Sequence, residues 1–102
     1  MRAPSERLKQ SLETDNLWLH VLKMFKAPCY AYEMENKLSR LNANRMTIYS
    51  VIYRLELGGY VKRVFKRRAA GPDRKYYAIT AKGRAELRSG VALLKKITRA
   101  LS

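Results

Sequence analysis

Two consecutive glycines, Gly58 and Gly59, cut the chain at the point where its hydrophobic period changes, and this junction constrains the fold more than any other feature. Before them runs NRMTIYSVIYRLEL. At about 100° per residue, Ile48, Val51, Ile52 and Leu55 fall within one narrow arc, the face a helix turns to a core. Met46, Ser50, Tyr53, Arg54 and Leu57 lie roughly opposite, with Thr47 and Tyr49 at the flanks. Asn44 offers a side-chain oxygen to the free amides of a first turn, and glycine takes the left-handed conformation that a helix C-terminus requires. The spacing therefore predicts a helix over 46–58 whose outer face is not needed by the core. After the glycines the period becomes two. YVKRVFKR and RKYYAIT flank RAAGPD, whose Gly-Pro-Asp chemistry suits a turn, so a β-hairpin follows at once, with Tyr77 and Ile79 on one face and Tyr76 and Ala78 on the other.

Upstream, TDNLWLHVLKMFKAP predicts a first helix with Thr14 or Asp15 as its cap and Pro28 beyond its end. Leu17, Trp18, Leu19, Val21, Leu22, Met24 and Phe25 cover more than one stripe, which implies burial on two sides. Leu8 and Leu12 extend the pattern backwards, giving a helix over 5–26. YAYEMENKLSRL predicts a second helix through Tyr30 or Ala31, Met34, Leu38 and Leu41, separated by only residues 42–44 from the third, the sequence signature of a helix-turn-helix. Thr80 can cap a last helix over 81–101, striped by Leu87, Val91, Leu94, Ile97 and Leu101. Gly90 within that stripe marks a kink or a close approach by another helix. The expected fold is mainly α with a small β-hairpin: a winged helix-turn-helix of three helices, a hairpin wing and a C-terminal helix, in a single domain over 1–102.

Charge names the partner. Lys and Arg number 22 against 8 Asp and Glu, a net +14, and +11 of it lies after residue 59. A chain so basic and so lopsided fits a polyanion, and with this fold the polyanion is double-stranded DNA. Catalysis would have to work with one His, one Cys and eight scattered carboxylates, without metal-ligand spacing, a phosphate-cradling loop or a nucleophile motif, so no enzyme, metal or cofactor is expected. His20 and Cys29 sit in apolar surroundings, where packing is the simpler role. No run approaches the ~20 apolar residues of a membrane span, and MRAPSERLKQSLETD does not read as a secretion signal. A cytoplasmic, nucleoid-associated protein is expected.

In such a fold the third helix enters the major groove and the wing lies along the backbone. Candidate DNA-binding residues are Arg45, Met46, Thr47, Tyr49, Ser50, Tyr53 and Arg54 on helix 46–58, and Lys66, Arg67, Arg68, Arg74 and Lys75 on the wing 66–75. Arg45, near the helix N-terminus, is best placed to reach a guanine. Tyr49 has two readings, a direct phosphate or base contact or packing against the second helix, and Tyr53 is either a contact with DNA or the wing or simply exposed. The apolar stripes of the first and last helices supply a candidate twofold dimer interface: Leu12, Trp18, Leu87, Val91, Leu94, Ile97 and Leu101.

The motifs resemble those of the PadR family of winged-helix transcriptional regulators. That family carries a Thr-Leu-Tyr opening the recognition helix, a Leu-Glu-x-x-Gly closing it and an Arg-Lys-Tyr-Tyr-x-Leu-Thr-x-x-Gly after the wing. In this chain these are Thr47-Ile48-Tyr49, Leu55 to Gly59 and Arg74 to Gly83, and Tyr30 to Met34 is similar to the family's Gly-Tyr-Glu segment, with Ala31 in place of Gly. Ser50 replaces a proline usual after the tyrosine, and Arg45-Met46 replaces a usual Pro-Gly, so the family's base preferences do not carry over. The resemblance implies a homodimeric DNA-binding regulator, most simply a repressor. The alternative is a low-specificity, chromatin-like DNA-binding protein of the same fold. Relatives often respond to small aromatic compounds, which makes such a ligand a candidate partner and Trp18 a candidate wall of its site, with helix packing the alternative role.

Overall fold

The computed structural model describes residues 3–64 and 75–102. In chain order they form helices α1 (Pro4–Leu12) and α2 (Leu17–Met24), strand β1 (Cys29–Tyr30), helices α3 (Met34–Lys37) and α4 (Arg45–Leu57), strands β2 (Val61–Arg63) and β3 (Tyr76–Ile79), and helix α5 (Ala81–Ala100). The strands make one antiparallel sheet in the order β1-β3-β2, with Val61 opposite Ile79 and Cys29 opposite Tyr77. This is the mainly helical winged helix-turn-helix expected, with a third strand that the sequence did not announce.

The core sits between α2, α3, α4 and the sheet. Leu17, Val21, Leu22 and Phe25 meet Met34, Leu38 and Leu41, then Ile48, Ile52 and Leu55, and are closed by Val61, Tyr77 and Ile79. The expected inner arc of α4 is buried as predicted, with Val51 only half-covered at its edge. Tyr77 and Ile79 face the core, whereas Tyr76 and Ala78 are half-exposed, the alternation a half-buried strand requires.

Two upstream expectations are corrected. The stretch 5–26 is not one helix, because the chain turns at residues 13–16 and α1 and α2 are separate. Thr, Asp and Asn compete with helical bonding by engaging nearby backbone. Asn16 Nδ2 donates to the Ser11 carbonyl at the end of α1, and Thr14 Oγ1 donates to the Leu41 carbonyl at 3.2 Å. Neither Thr14 nor Asp15 caps α2: the capping position is Asn16, without a side-chain bond. His20 Nε2 lies 3.1 Å from the Leu12 carbonyl, so the one histidine ties α2 back to the end of α1. The second expected helix, over 30–41, is likewise broken, into β1, a 3₁₀ turn (Ala31–Glu33), α3 and a second 3₁₀ turn (Ser39–Leu41). Of its apolar positions Met34, Leu38 and Leu41 are buried, and of the two alternatives at its start Ala31 is buried and Tyr30 half-buried.

The ends of α4 and α5 follow the sequence closely. Asn44 Oδ1 accepts from the Thr47 amide at 2.8 Å, and Thr80 Oγ1 accepts from the Gly83 amide at 3.0 Å. At the far end of α4, Gly59 has φ +79°, and the Tyr60 and Gly59 amides donate to the Leu55 and Glu56 carbonyls at 2.9 and 3.0 Å. That is the paired bonding of a Schellman cap, which needs a left-handed residue where Gly59 stands. Helix α5 runs without interruption through Gly90, so the glycine serves close approach rather than a kink: a Cβ there would lie 2.6 Å from Leu19 Cδ2 and 2.9 Å from Trp18 Cη2.

Candidate nucleic-acid interface

Helix α4 has two faces of opposite character. Behind the buried arc, its outer side presents Arg45, Met46, Ser50, Tyr53, Arg54 and Leu57, all exposed, with Met46 82% and Tyr53 60% accessible. Thr47 and Tyr49 lie at the border, half-buried, and the Tyr49 ring packs against the core cluster. The predicted residues on α4 therefore share one surface, with Tyr49 rooted in the core at its edge.

That surface is held by both neighbouring elements. On the N-terminal side, Arg45 Nε donates to Glu35 Oε2 of α3 at 3.1 Å, an exposed ion pair across the turn between the two helices. On the C-terminal side, Lys82 Nζ donates to the Gly58 carbonyl at 2.6 Å and lies 4.6 Å from the centre of the Tyr60 ring, while Thr80 Oγ1 donates to the Gly59 carbonyl at 2.7 Å. The first turn of α5 thus clamps the last turn of α4. Strand β3 adds a third tie: the Tyr77 hydroxyl donates to Glu56 Oε1 at 3.1 Å. Burial raises the Tyr77 phenol above its ordinary value, an effect that hydrogen bonding to Arg63 partly offsets. The angle between α4 and the sheet is consequently fixed by hydrogen bonds as well as by core packing.

Of the predicted wing cations, Lys75 is exposed at the start of β3, and its carbonyl accepts from the Ala31 amide at 2.9 Å, pinning the wing base to the turn before α3. Lys66, Arg67, Arg68 and Arg74 lie outside the described residues. Sequence reasoning missed Glu35 and Lys82, whose roles depend on which elements meet. It also missed the tyrosine group at the sheet edge, where Tyr30 stacks on Tyr32 at 5.4 Å and meets Tyr76 edge-on at 4.8 Å. That group needs β1, and a two-residue strand leaves no periodic trace.

The candidate interface residues divide. Trp18 and Leu87 pack against the chain's own core, and Leu94 is half-buried. Leu12, Val91, Ile97 and Leu101 are exposed, the last by 82%, and Leu8 and Leu93 join them. Helix α1 buries no side chain at all. Trp18 lines a shallow cavity of about 180 Å³ together with Thr14, Asp15, Val51 and Arg54. Among the described residues no helix is long and apolar enough to cross a membrane, and no group of three or more His, Cys, Asp or Glu could hold a metal ion.

Comparison with known proteins agrees with this architecture. The family model described as the transcriptional regulator PadR-like family matches residues 18–89, a span that runs from α2 into α5. A crystal structure of a PadR family transcriptional regulator from Eggerthella lenta DSM 2243 has a TM-score of 0.79 at 24% identity, covering 95% of this chain and 88% of that one. A PadR-like transcriptional regulator from Bacillus cereus has a TM-score of 0.67 at 25% identity, covering 94% of this chain and 92% of that one. No curated protein matches the chain.

Proposed function

Because the chain belongs to the PadR-like family of transcriptional regulators, we propose that it acts as a homodimeric, sequence-specific DNA-binding regulator, most simply a repressor that occludes a promoter. Helix α4 enters the major groove. Arg45, Met46, Thr47, Ser50, Tyr53 and Arg54 face the bases and Tyr49 the backbone, while the wing, with Lys66, Arg67, Arg68, Arg74 and Lys75, follows a neighbouring phosphate strand or the minor groove. The observation that carries this reading is the outer face of α4, exposed along its whole length on a helix whose inner face completes the core.

Dimerisation is supported by what a single chain leaves uncovered. A nine-residue helix with no buried side chain is too short to persist alone, since isolated helices below about 12–15 residues are marginal in water. The distal half of α5 is exposed on all sides but one, with Val91, Leu93, Ile97 and Leu101 in water. Pairing the two helices with those of a second copy buries both sets and presents two α4 helices to half-sites about one helical turn apart.

Selection of DNA from a random library by the purified protein tests both parts together. A palindromic consensus whose binding survives about 0.2 M salt, where non-specific phosphate binding fades, is the expected result. Enrichment of no sequence, with binding that vanishes uniformly as salt rises, would instead mean a low-specificity DNA-coating protein.

A further inference from the structure

Glu35 stands on the surface that the preceding reading gives to DNA, and an acid there opposes phosphate. Its position is specific. Its Oε2 takes the Nε hydrogen of Arg45 at 3.1 Å, while the two Nη groups at the end of the guanidinium fork have no partner among the described residues. Arginine reads guanine with a bidentate pair of hydrogen bonds to O6 and N7. A carboxylate that grips Nε leaves the Nη end free for that contact, and it restrains a side chain that is 70% exposed and otherwise free to swing. The same negative charge discourages Arg45 from settling on a phosphate, the contact that carries no sequence information. Glu33, two residues before it, is engaged elsewhere, with Lys37 at 3.7 Å and the Tyr30 amide at 3.3 Å.

We propose that Glu35 is a specificity-determining positioning residue, which orients Arg45 for base reading and suppresses its use as a phosphate contact. The proposal rests on α4 being the groove-reading helix. Removing the carboxylate then moves two affinities in opposite senses: binding to random-sequence DNA tightens, and the preference for the selected site shrinks. Exposed ion pairs are worth about 0.2–1 kcal/mol, so the specificity ratio falls about 1.4- to fivefold per half-site rather than collapsing.

The test compares wild type, Glu35→Gln, Arg45→Ala and the double variant on two duplexes, the library-selected site and a shuffled sequence, over a range of salt. Glu35→Gln is expected to raise affinity for the shuffled duplex, to lower the ratio of the two affinities, and to relax the library consensus at one symmetric pair of positions. In the Arg45→Ala background the same change is expected to leave the ratio untouched, because the group being positioned is gone. An equal gain on both duplexes, or a loss of preference that persists without Arg45, overturns the proposal. Failure of the parent reading looks different: wild type itself would then enrich no sequence, or Arg45→Ala and a Tyr53→Ala control would both bind the selected site unchanged. Circular dichroism of each variant confirms that the exposed substitutions leave the fold intact.

Discussion

Gly83 is the position where one added methyl group should do most damage. It lies in the first turn of α5, in helical conformation, where alanine would ordinarily be favoured by about 1 kcal/mol. The structure reverses that preference. A Cβ at Gly83 would lie 2.0 Å from the Tyr60 carbonyl oxygen, 3.0 Å from its carbon and 2.8 Å from Ile79 Cγ1, against the 3.4 Å at which ordinary contact begins. The principal obstacle is backbone, so α5 must withdraw by more than 1 Å. Three bonds cross that gap: the Thr80 amide to the Tyr60 carbonyl at 3.1 Å, Thr80 Oγ1 to the Gly59 carbonyl, and Lys82 Nζ to the Gly58 carbonyl. At about 1 kcal/mol each, their loss less the helix-propensity gain leaves a cost of about 2 kcal/mol, in line with overpacking elsewhere. For a domain of this size that lowers Tm by about 8–16 °C. Thermal and urea unfolding of Gly83→Ala at fixed protein concentration measures it. Gly90→Ala serves as the comparison, because its Cβ would meet only the ends of the Leu19 and Trp18 side chains, which can give way at a cost of about 1 kcal/mol. A Gly83→Ala protein as stable as wild type, or no worse than Gly90→Ala, would refute the view that α5 clamps α4 through this contact.

Three further outcomes are expected. Asn44→Ala removes the cap on the N-terminal end of α4 and should cost about 1 kcal/mol in denaturant unfolding, with weaker DNA binding as the first turn frays. Ile97→Asp places a charge on the exposed stripe of α5 and should shift sedimentation from dimer to monomer at micromolar concentration without unfolding the core; an unchanged dimer would move the interface elsewhere. The Tyr77 phenol is raised in the folded state, chiefly by burial, so its contribution to stability is whole below the unfolded value near 10 and is lost as pH rises beyond it. Wild type should therefore lose stability between pH 9 and 11 more steeply than Tyr77→Phe, which lacks the titrating group but also the bond to Glu56.

What could be read from the sequence was whatever is decided within a few residues. Helix α4 carries its inner arc, its cap and its glycine stop in one continuous stretch, and α5 has Thr80 and a long stripe, so both came out nearly to the residue. The stretch 5–26 failed because its apolar pattern continues across residues 13–16 while the polar side chains there bond to Ser11 and Leu41 carbonyls, a choice made by tertiary neighbours. Strand β1 failed because two residues cannot show a period, although it aligns Tyr30 with Tyr76. At the candidate interface the exposed residues of α4 were found by geometry alone. Their supports were not, because Glu35 and Lys82 act across gaps of 10 and 24 residues that only the folded chain closes. Gly83 stands between these cases: the resemblance marked its place, and only the Tyr60 carbonyl explains it.

The two outer tyrosines of α4 can now be separated by experiment, because they are rooted differently. Tyr49 is half-buried with its ring against the core, so truncation to alanine would confound folding with binding. Tyr49→Phe removes only the hydroxyl and keeps the packing. If that hydroxyl anchors α4 to a phosphate, the variant loses one hydrogen bond to a charged group, about 1.5 kcal/mol or roughly tenfold in affinity, and loses it equally on selected and shuffled DNA. Tyr53 is 60% exposed and supports nothing in the core, so Tyr53→Ala should leave unfolding unchanged. If it faces the groove, the change affects the selected site more than the shuffled one, since a base-edge contact carries sequence information and a phosphate contact does not. The decisive comparison is the pair. Uniform loss for Tyr49→Phe with selective loss for Tyr53→Ala places the helix in the groove along its outer face. Selective loss at Tyr49 with none at Tyr53 would require α4 to be rotated about its axis, bringing the Thr47 and Tyr49 edge to the bases and turning Tyr53 away from them.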